Sequence, residues 1–246
     1  MSVIVNRFKD GNSVARNAAE AFFVKMDEVL ATKAEAHVAI TGGTVGIATL
    51  GEIAANERAA NFDFNRVNFW WGDERFVDAD SADRNAIQAK KSMLNKLPTT
   101  NLHEFPASDQ GMSLDEAANF FAAELAAIKP HFSLALVGMG PDGHICSLFP
   151  GKPAIQAGVQ VIAEHDSPKP PAQRLSFSYE AMNSVDELWK HFLDHGNLDL
   201  PGTDRLTNEE LLALESPDRH HLARGIDRHD ENHRNVDGSH LARQCG

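Results

Sequence analysis

The sequence predicts an α/β protein with a mostly parallel sheet and helices on both faces. Short apolar, strand-like runs alternate with longer amphipathic segments, which is typical of βαβ units. Polar, glycine-rich loops follow the strand-like runs, and ligands of open α/β sheets collect beyond those strand ends. With 246 residues, of which 42% are hydrophobic, the chain is long enough to bury a sizeable core.

The first half of the chain predicts two helices and two strands. Apolar residues recur at spacings of three and four over residues 13–32, which predicts an amphipathic helix. A strand over residues 37–40 runs into the sequence TGGT at 41–44, and an Ala/Leu/Ile-rich helix follows to about residue 60. The next strand is predicted over residues 67–71.

The middle of the chain continues the alternation. A helix is predicted over residues 82–97 because Pro98 ends the pattern. SLDE at residues 113–116 has the capping-box pattern, and the helix behind it ends before Pro130. The apolar run at residues 132–137 is expected of a central strand buried on both faces. Two further strands are predicted, over residues 159–163 and 174–179.

Charge and composition restrict the partners. The formal net charge is −12, which disfavours nucleic acid and anionic membrane surfaces as partners. No run of about 18 apolar residues predicts a membrane span, and the N-terminus lacks a secretory pattern. The two cysteines, Cys146 and Cys245, imply no disulfide framework. We therefore expect a cytoplasmic protein. Our expectation for its assembly is a monomer or weak homodimer.

The loop at residues 41–44 is the first of three candidate ligand loops. Glycine lets the backbone of Gly42 and Gly43 approach a ligand closely, and N–H groups at a helix start favour an anion. The hydroxyl of Thr44 could add a donor. A tight strand-to-helix turn without a ligand explains the same pattern, so this loop alone indicates little.

The second loop is GDER at residues 72–75, directly after an apolar strand. The guanidinium of Arg75 is a planar fork that matches phosphate in a bidentate way. Asp83, Arg84 and Asn85 follow further along. A surface cluster of ion pairs is the alternative explanation, and taken alone the loop fits both equally.

The third loop, GMGPDGH at residues 138–144, follows the central strand. It places His144 at the mouth of the sheet, where histidine could take a proton from water and return it. Asp142 could orient the imidazole or polarise the water. His144 and Cys146 lack further ligands at standard metal spacing, and there is no Gly-x-Ser-x-Gly elbow. We therefore expect neither a metal site nor a serine nucleophile.

Together the loops resemble those of the 6-phosphogluconolactonase family. The third loop with its continuation, GMGPDGHICSLFPG at residues 138–151, is the most specific part. SPKPPAQR at residues 167–174 is similar to the family's Ser-Pro-Lys-Pro-Pro-x-x-Arg segment. The resemblance covers about residues 1–184. It implies a Rossmann-like fold and metal-free, cofactor-free hydrolysis of 6-phospho-D-glucono-1,5-lactone to 6-phosphogluconate, a step of the oxidative pentose phosphate pathway.

The resemblance also implies roles for individual residues. His144 would be the general base, with Asp142 beside it. Arg75 would bind the substrate's phosphate. The remaining residues implied as substrate or phosphate contacts are Gly42, Gly43, Thr44, Asp73, Gly140, Lys169 and Arg174.

Two other functions stay open. A glucosamine-6-phosphate deaminase/isomerase-like enzyme would share the fold and a similar histidine loop. It would be expected to show an Asn-Glu-Pro-like sequence after the histidine, whereas this chain has SLFP at residues 147–150. The other alternative is a sugar-phosphate-binding protein that is inactive because its C-terminal segment is aberrant.

The C-terminal segment departs from the family pattern. Residues 185–246 hold seven of the twelve histidines, and residues 216–246 hold five arginines and no lysine. Such polar sequence is typical of a solvated tail, and a shifted reading frame is one hypothesis for it. We therefore predict a lactonase-type domain at residues 1–184 and a poorly packed segment at residues 185–246, with the last strand and helix of the fold missing or disordered.

Overall fold

A computed structural model describes residues 3–152, 158–192 and 210–215. Its helices are α1 Gly11–Leu30, α2 Thr44–Ala55, α3 Asn85–Ser92, α4 Leu114–Ile128 and α5 Tyr179–Asn183. Its strands are β1 Val3–Arg7, β2 Ala36–Ile40, β3 Val67–Trp71, β4 Asp73–Arg75, β5 Leu102–His103, β6 Phe132–Gly138, β7 Val161–Glu164, β8 Arg174–Phe177, β9 Glu187–Phe192 and β10 Glu210–Glu215.

Seven of these strands form one sheet in the order β1-β10-β9-β6-β2-β3-β5. The five strands from β9 to β5 are parallel to their neighbours, and β10 and β1 join one edge in antiparallel fashion. A second, antiparallel sheet has the order β4-β8-β7. The predicted mostly parallel α/β sheet is confirmed, and the small second sheet is an addition to it.

Two aromatic clusters show that both faces of the large sheet are covered. On one face α1 packs beside α2, and Phe23 of α1 contacts Phe62 and Phe64 edge to face. On the other face Phe121 of α4 packs against Trp70 of β3. Phe177 of the small sheet joins this second cluster, so that sheet and α4 cover the face together.

The predicted helix at residues 82–97 is shorter in the structure. It begins at Asn85 because the buried carboxylate of Glu74 accepts hydrogen bonds from the N–H groups of Asn85 and Ala86, at 2.7 and 2.9 Å. It ends at Ser92, and a short 3₁₀ turn at Leu94–Lys96 completes the segment. Satisfying the first free N–H groups fixes a helix start, and here the partner is a side chain of β4, eleven residues before Asn85.

The segment at residues 185–246, which the sequence predicts to be poorly packed, begins inside the large sheet. β9 pairs in parallel with the central strand β6, and Leu188, Trp189 and His191 are buried. β10 pairs with both β9 and β1. Backbone pairing with β6 and burial of two apolar side chains outweigh the polar composition here. The rest of that segment, residues 193–209 and 216–246, lies outside the described residues.

Burial of His191 predicts a loss of stability in acid. The residue is 2% exposed, and neither ring nitrogen has a hydrogen-bond partner among the described residues. Burial lowers the pKa of His191 from 6.5 to about 4. Between these values the unfolded chain binds a proton that the folded chain does not. The contribution of His191 to the free energy of unfolding is therefore fully present above pH 6.5 and is lost as the pH falls to about 4. The loss amounts to roughly 3 kcal/mol.

Urea unfolding near pH 7.5 and near pH 5 measures this loss. The His191→Leu variant is the comparison, because it keeps a buried side chain and removes the proton-binding group. We expect a smaller pH dependence of the free energy of unfolding for the variant than for the parent. Burial also lowers the pKa of His37, but His37 is present in both chains, so its effect on the pH dependence cancels in the comparison. Equal pH dependence in the two chains would contradict the prediction.

None of the helices in the described part of the chain combines the length and the apolar character needed to cross a membrane.

Candidate active site

The loop after β6 folds back on itself and carries His144. The N–H of Gly140 donates to the carbonyl of His144 at 2.9 Å, and the N–H of Gly143 donates to the carbonyl of Gly140 at 2.9 Å. The N–H of Met139 donates to the carbonyl of His191 in β9, at 2.9 Å. The loop is therefore closed by its own backbone and anchored to the neighbouring strand.

His144 and Asp142 form a hydrogen-bonded pair. Nδ1 of His144 lies 2.5 Å from Oδ1 of Asp142, and the ring also contacts Phe149 at a centroid distance of 4.7 Å. The His144 side chain is 12% exposed and that of Asp142 is 42% exposed. With Nδ1 directed at the carboxylate, Nε2 of His144 is the nitrogen that can accept a proton from water.

Asp142 is held in its ionised form. Partial burial raises the pKa of Asp142. The hydrogen bond with His144 and the charges of His144 and Lys169 lower it by more than burial raises it, so the net shift of the pKa is downward. An ionised carboxylate orients the imidazole and stabilises the imidazolium that forms during proton transfer.

Gly140 leaves the space that the imidazole occupies. A Cβ atom built on Gly140 would lie 2.1 Å from Cε1 of His144, 2.2 Å from its Nδ1 and 2.7 Å from Oδ1 of Asp142. These distances are far below van der Waals contact. The orientation of the His144–Asp142 pair therefore depends on a glycine at this position.

The loop before α2 presents an open helix N-terminus. Gly43 is the N-cap residue, and no side chain caps the helix. Gly43 and Thr44 are exposed, whereas Gly42 is buried. Free N–H groups at a helix start, together with the helix dipole, favour an anion. This geometry supports the predicted anion-binding role of Gly43 and Thr44.

Arg75 and Arg174 lie beside each other on the adjacent strands β4 and β8 of the small sheet. They are direct partners in the β4–β8 register, and Asp73 is paired with Ser176 in the same register. Nη1 of Arg75 donates to the carbonyl of Asp83 at 2.6 Å. Burial lowers the pKa of Arg174, the charge of Asp73 raises it, and the charge of Arg75 lowers it. The register therefore places two arginines side by side on β4 and β8, in a chain of net charge −12.

The side chain of Arg174 is hydrogen-bonded to the backbone of the loop that carries Lys169. The guanidinium of Arg174 donates to the carbonyls of Lys169, Pro170 and Pro171, at 3.1, 2.9 and 3.2 Å. Arg174 is 6% exposed, so these bonds use much of its donor capacity inside the protein. Arg174 thereby fixes the backbone of Lys169, whose amine is the more accessible of the two cations.

Asp73 points into the protein. Its Oδ2 accepts a hydrogen bond from the Ser147 hydroxyl at 2.7 Å, and its Oδ1 accepts one from Nδ2 of Asn85 at 3.2 Å. Asp73 is 6% exposed. It therefore joins the second loop to the third loop, and its predicted role as a direct substrate contact stays a prediction.

Sequence reasoning gave no role to Glu74, Asn85 or Ser147. All three are fully or nearly fully buried, with exposures of 0%, 2% and 0%. Burial raises the pKa of Glu74, while Arg84 and backbone N–H groups lower it. Their positions beside the motifs were visible in the sequence, but polar residues next to glycine-rich loops are usually exposed. Only the packing shows that they form the interior of the site.

Asp142→Asn is expected to lower kcat by roughly 10–10²-fold, because the neutral amide no longer stabilises the imidazolium and can present N–H to Nδ1. Loss of the carboxylate in a buried Ser-His-Asp triad costs about 10⁴-fold, and the exposure of Asp142 reduces the effect here. Steady-state kinetics on the phosphorylated lactone that the family resemblance implies measures it, with KM expected to change little. A kcat equal to that of the parent would show that the carboxylate is dispensable.

The fold and site together define a class: α/β proteins with glycine-rich loops beyond the ends of parallel strands and a histidine–carboxylate pair in one of those loops. Within that class, the chain belongs to the family described as glucosamine-6-phosphate isomerases/6-phosphogluconolactonase, whose profile matches residues 9–200. The family resemblance predicted from the three loops is confirmed.

Individual relatives point to one branch of the family. A 6-phosphogluconolactonase of Mycobacterium tuberculosis is 36% identical over 200 residues, which cover 77% of this chain and 80% of the relative. The crystal structure of a 6-phosphogluconolactonase from Thermotoga maritima matches with a TM-score of 0.65 and 25% identity, over 73% of this chain and 78% of that one. A monomeric glucosamine-6-phosphate deaminase matches with a TM-score of 0.62 at 14% identity, over 74% and 79%, which shows a shared fold.

Proposed function

We propose that the chain hydrolyses 6-phospho-D-glucono-1,5-lactone to 6-phosphogluconate. The observation that carries the proposal is the His144–Asp142 pair, oriented at 2.5 Å in a loop that contacts the Arg75 segment through Ser147 and Asp73. The curated relatives at 36% identity carry the lactonase name. Their similarity supports the same reaction here.

The chemistry needs no covalent nucleophile, because a lactone carbonyl is already electrophilic. Nε2 of His144 takes a proton from water while the water oxygen bonds to the carbonyl carbon. The bond between that carbon and the ring oxygen then breaks, and the proton passes from His144 to the departing ring oxygen. Asp142 stabilises the imidazolium between the two transfers.

The phosphate supplies the positioning. In the proposal, the N–H groups at the start of α2, Arg75 and Lys169 hold the substrate's phosphate, and this fixes the distant carbonyl near His144. Interactions with a remote, non-reacting group can be used to orient the reacting atoms. Gly42, Thr44, Asp73, Gly140 and Arg174 complete the proposed site, the last three by shaping it from inside.

The finer setting is also proposed. The chain would act in the cytoplasm, as a monomer or weak homodimer, on a small phosphorylated lactone and without a nucleic acid partner. The net charge of −12 supports the last point. Deaminase activity on glucosamine 6-phosphate is the second candidate, supported by the shared fold and outweighed by SLFP at residues 147–150.

Three substrates test the function on the purified chain. Freshly prepared 6-phosphoglucono-lactone should be hydrolysed well above its spontaneous rate. Unphosphorylated glucono-1,5-lactone should show a kcat/KM lower by about 10²-fold or more, since the phosphate contacts are lost. Glucosamine 6-phosphate should release no ammonia. Hydrolysis of the phosphorylated lactone at only the spontaneous rate would overturn the proposal.

A further inference from the structure

A buried polar cluster lies where the three ligand loops meet. It consists of Asp73, Asn85 and Ser147, and we refer to it as the Asp73 cluster. Each of its residues is 6% exposed or less. The carboxylate of Asp73 accepts hydrogen bonds from both of the others, at 3.2 Å from Asn85 and 2.7 Å from Ser147, and buried polar groups normally have such partners.

Asn85 connects the cluster to the first loop. Its Nδ2 donates to the backbone carbonyl of Asp73 at 2.8 Å as well as to the carboxylate. Both partners are acceptors, so the orientation of the amide is fixed. Oδ1 therefore faces the backbone of Gly42, where an added Cβ would lie only 1.9 Å away. The first loop rests directly on the Asn85 side chain.

Ser147 connects the cluster to the third loop. It is three residues beyond His144 in the chain, and its N–H donates to the hydroxyl of Ser176 in β8 at 3.2 Å. Its own hydroxyl donates to Asp73. The loop that carries His144 is thus tied at one point to both strands that carry the adjacent arginines, β4 through Asp73 and β8 through Ser176.

We propose that Asn85 and Ser147 are positioning residues, which act through Asp73 to hold the phosphate-binding loop and the His144 loop at a fixed separation. Neither residue needs to touch the substrate for this role. Asn85 sets the position of the first loop, and Ser147 sets the position of the third. The inference rests on the proposed function, because the separation matters only if both loops act on one molecule.

The two residues are expected to affect different kinetic constants. Asn85→Ala leaves the first loop without its support, so KM for 6-phosphoglucono-lactone should rise about tenfold while kcat changes little. Ser147→Ala frees the His144 loop, so kcat should fall about tenfold while KM changes little, since small displacements of a catalytic group are costly. A purely structural role would lower stability without this split between KM and kcat.

The chain offers a matched control for each variant at the opposite end of the strands. Asn68, at the start of β3, is a buried asparagine that donates to the Glu35 carboxylate at 3.0 Å. Ser133, near the start of β6, is a serine with 0% exposure. Asn68→Ala and Ser133→Ala should lower the melting temperature about as much as the cluster variants, with KM and kcat close to those of the parent.

The outcomes separate the inference from the proposed function. An inactive parent chain would overturn the function. Calorimetric titration with inorganic phosphate then tests the cluster, and we expect weaker binding for Asn85→Ala than for Asn68→Ala.

If the parent chain is active, the inference is overturned when both cluster variants have the same KM and kcat as their controls. It is also overturned when Asn85→Ala and Asn68→Ala bind inorganic phosphate equally well. If Asn85→Ala fails to fold, Ser147→Ala, which loses one hydroxyl, decides the question.

Discussion

Replacing His144 with alanine should lower kcat for 6-phosphoglucono-lactone by about 10²–10⁴-fold, the range that a single general base contributes. The imidazole is the group in the loop that can take the proton of the attacking water, and Asp142 orients it at 2.5 Å. The phosphate contacts lie in other loops, so KM should change little. The residual rate should approach the spontaneous hydrolysis of the lactone.

The control for His144→Ala is a histidine elsewhere on the surface. His165 is an exposed histidine that pairs with Asp115 at 3.1 Å, so His165→Ala removes a histidine–carboxylate contact of similar chemistry. Its kcat should equal that of the parent. If His144→Ala hydrolyses the lactone as fast as the parent does, the water-activating role assigned to His144 is wrong.

Gly140→Ala should lower kcat by about 10²-fold or more without removing any polar group. The added Cβ would lie 2.1 Å from the imidazole of His144, so the ring must move. A misplacement of about 1 Å costs an enzyme on the order of 10²-fold. The clashing atoms are the ends of side chains and can rotate away, so the melting temperature should fall far less than the activity.

Gly138→Ala is the matched change for Gly140→Ala. Gly138 is the last residue of β6, two residues before Gly140, and a Cβ built on Gly138 meets no atom within 4 Å. Measurement of kcat and of the melting temperature in both variants separates displacement of the ring from a general effect of alanine in the loop. Normal kcat in Gly140→Ala would mean that the imidazole works from a different orientation than the one described.

The sequence was sufficient for β2, β3 and β6 of the large sheet because these strands carry strong local signals, whereas β1, β5, β9 and β10 were not predicted. Residues 67–71 and the apolar run behind β6 were predicted within one residue of the observed strands. Their side chains are buried on both faces, so hydrophobicity alone marks them. The three ligand loops followed from the same strands, because each loop begins where a strand ends.

Two strands of the small sheet, β7 and β8, overlap the predictions at residues 159–163 and 174–179, but β4 and its pairing with β8 could not be predicted because that pairing is not local. β4 has the sequence Asp-Glu-Arg, which has low β-propensity, and its partner β8 lies about a hundred residues further on. The buried role of Glu74 was hidden for a related reason, since an ionisable side chain is rarely expected in the interior. Only the tertiary arrangement supplies Arg84 and the start of α3 as its partners.

The pairing of Arg75 with Arg174 has a consequence for handling the protein. Arg174 is buried and bonded to the carbonyls of its own loop, so Arg75 is the more exposed of the two arginines. On the proposed function, inorganic phosphate held by Arg75, Lys169 and the start of α2 should raise the free energy of unfolding by about 2.7 kcal/mol at a hundredfold excess over its Kd. A phosphate buffer would then act as a preservative for this chain and, at the same time, as a competitive inhibitor of its assay.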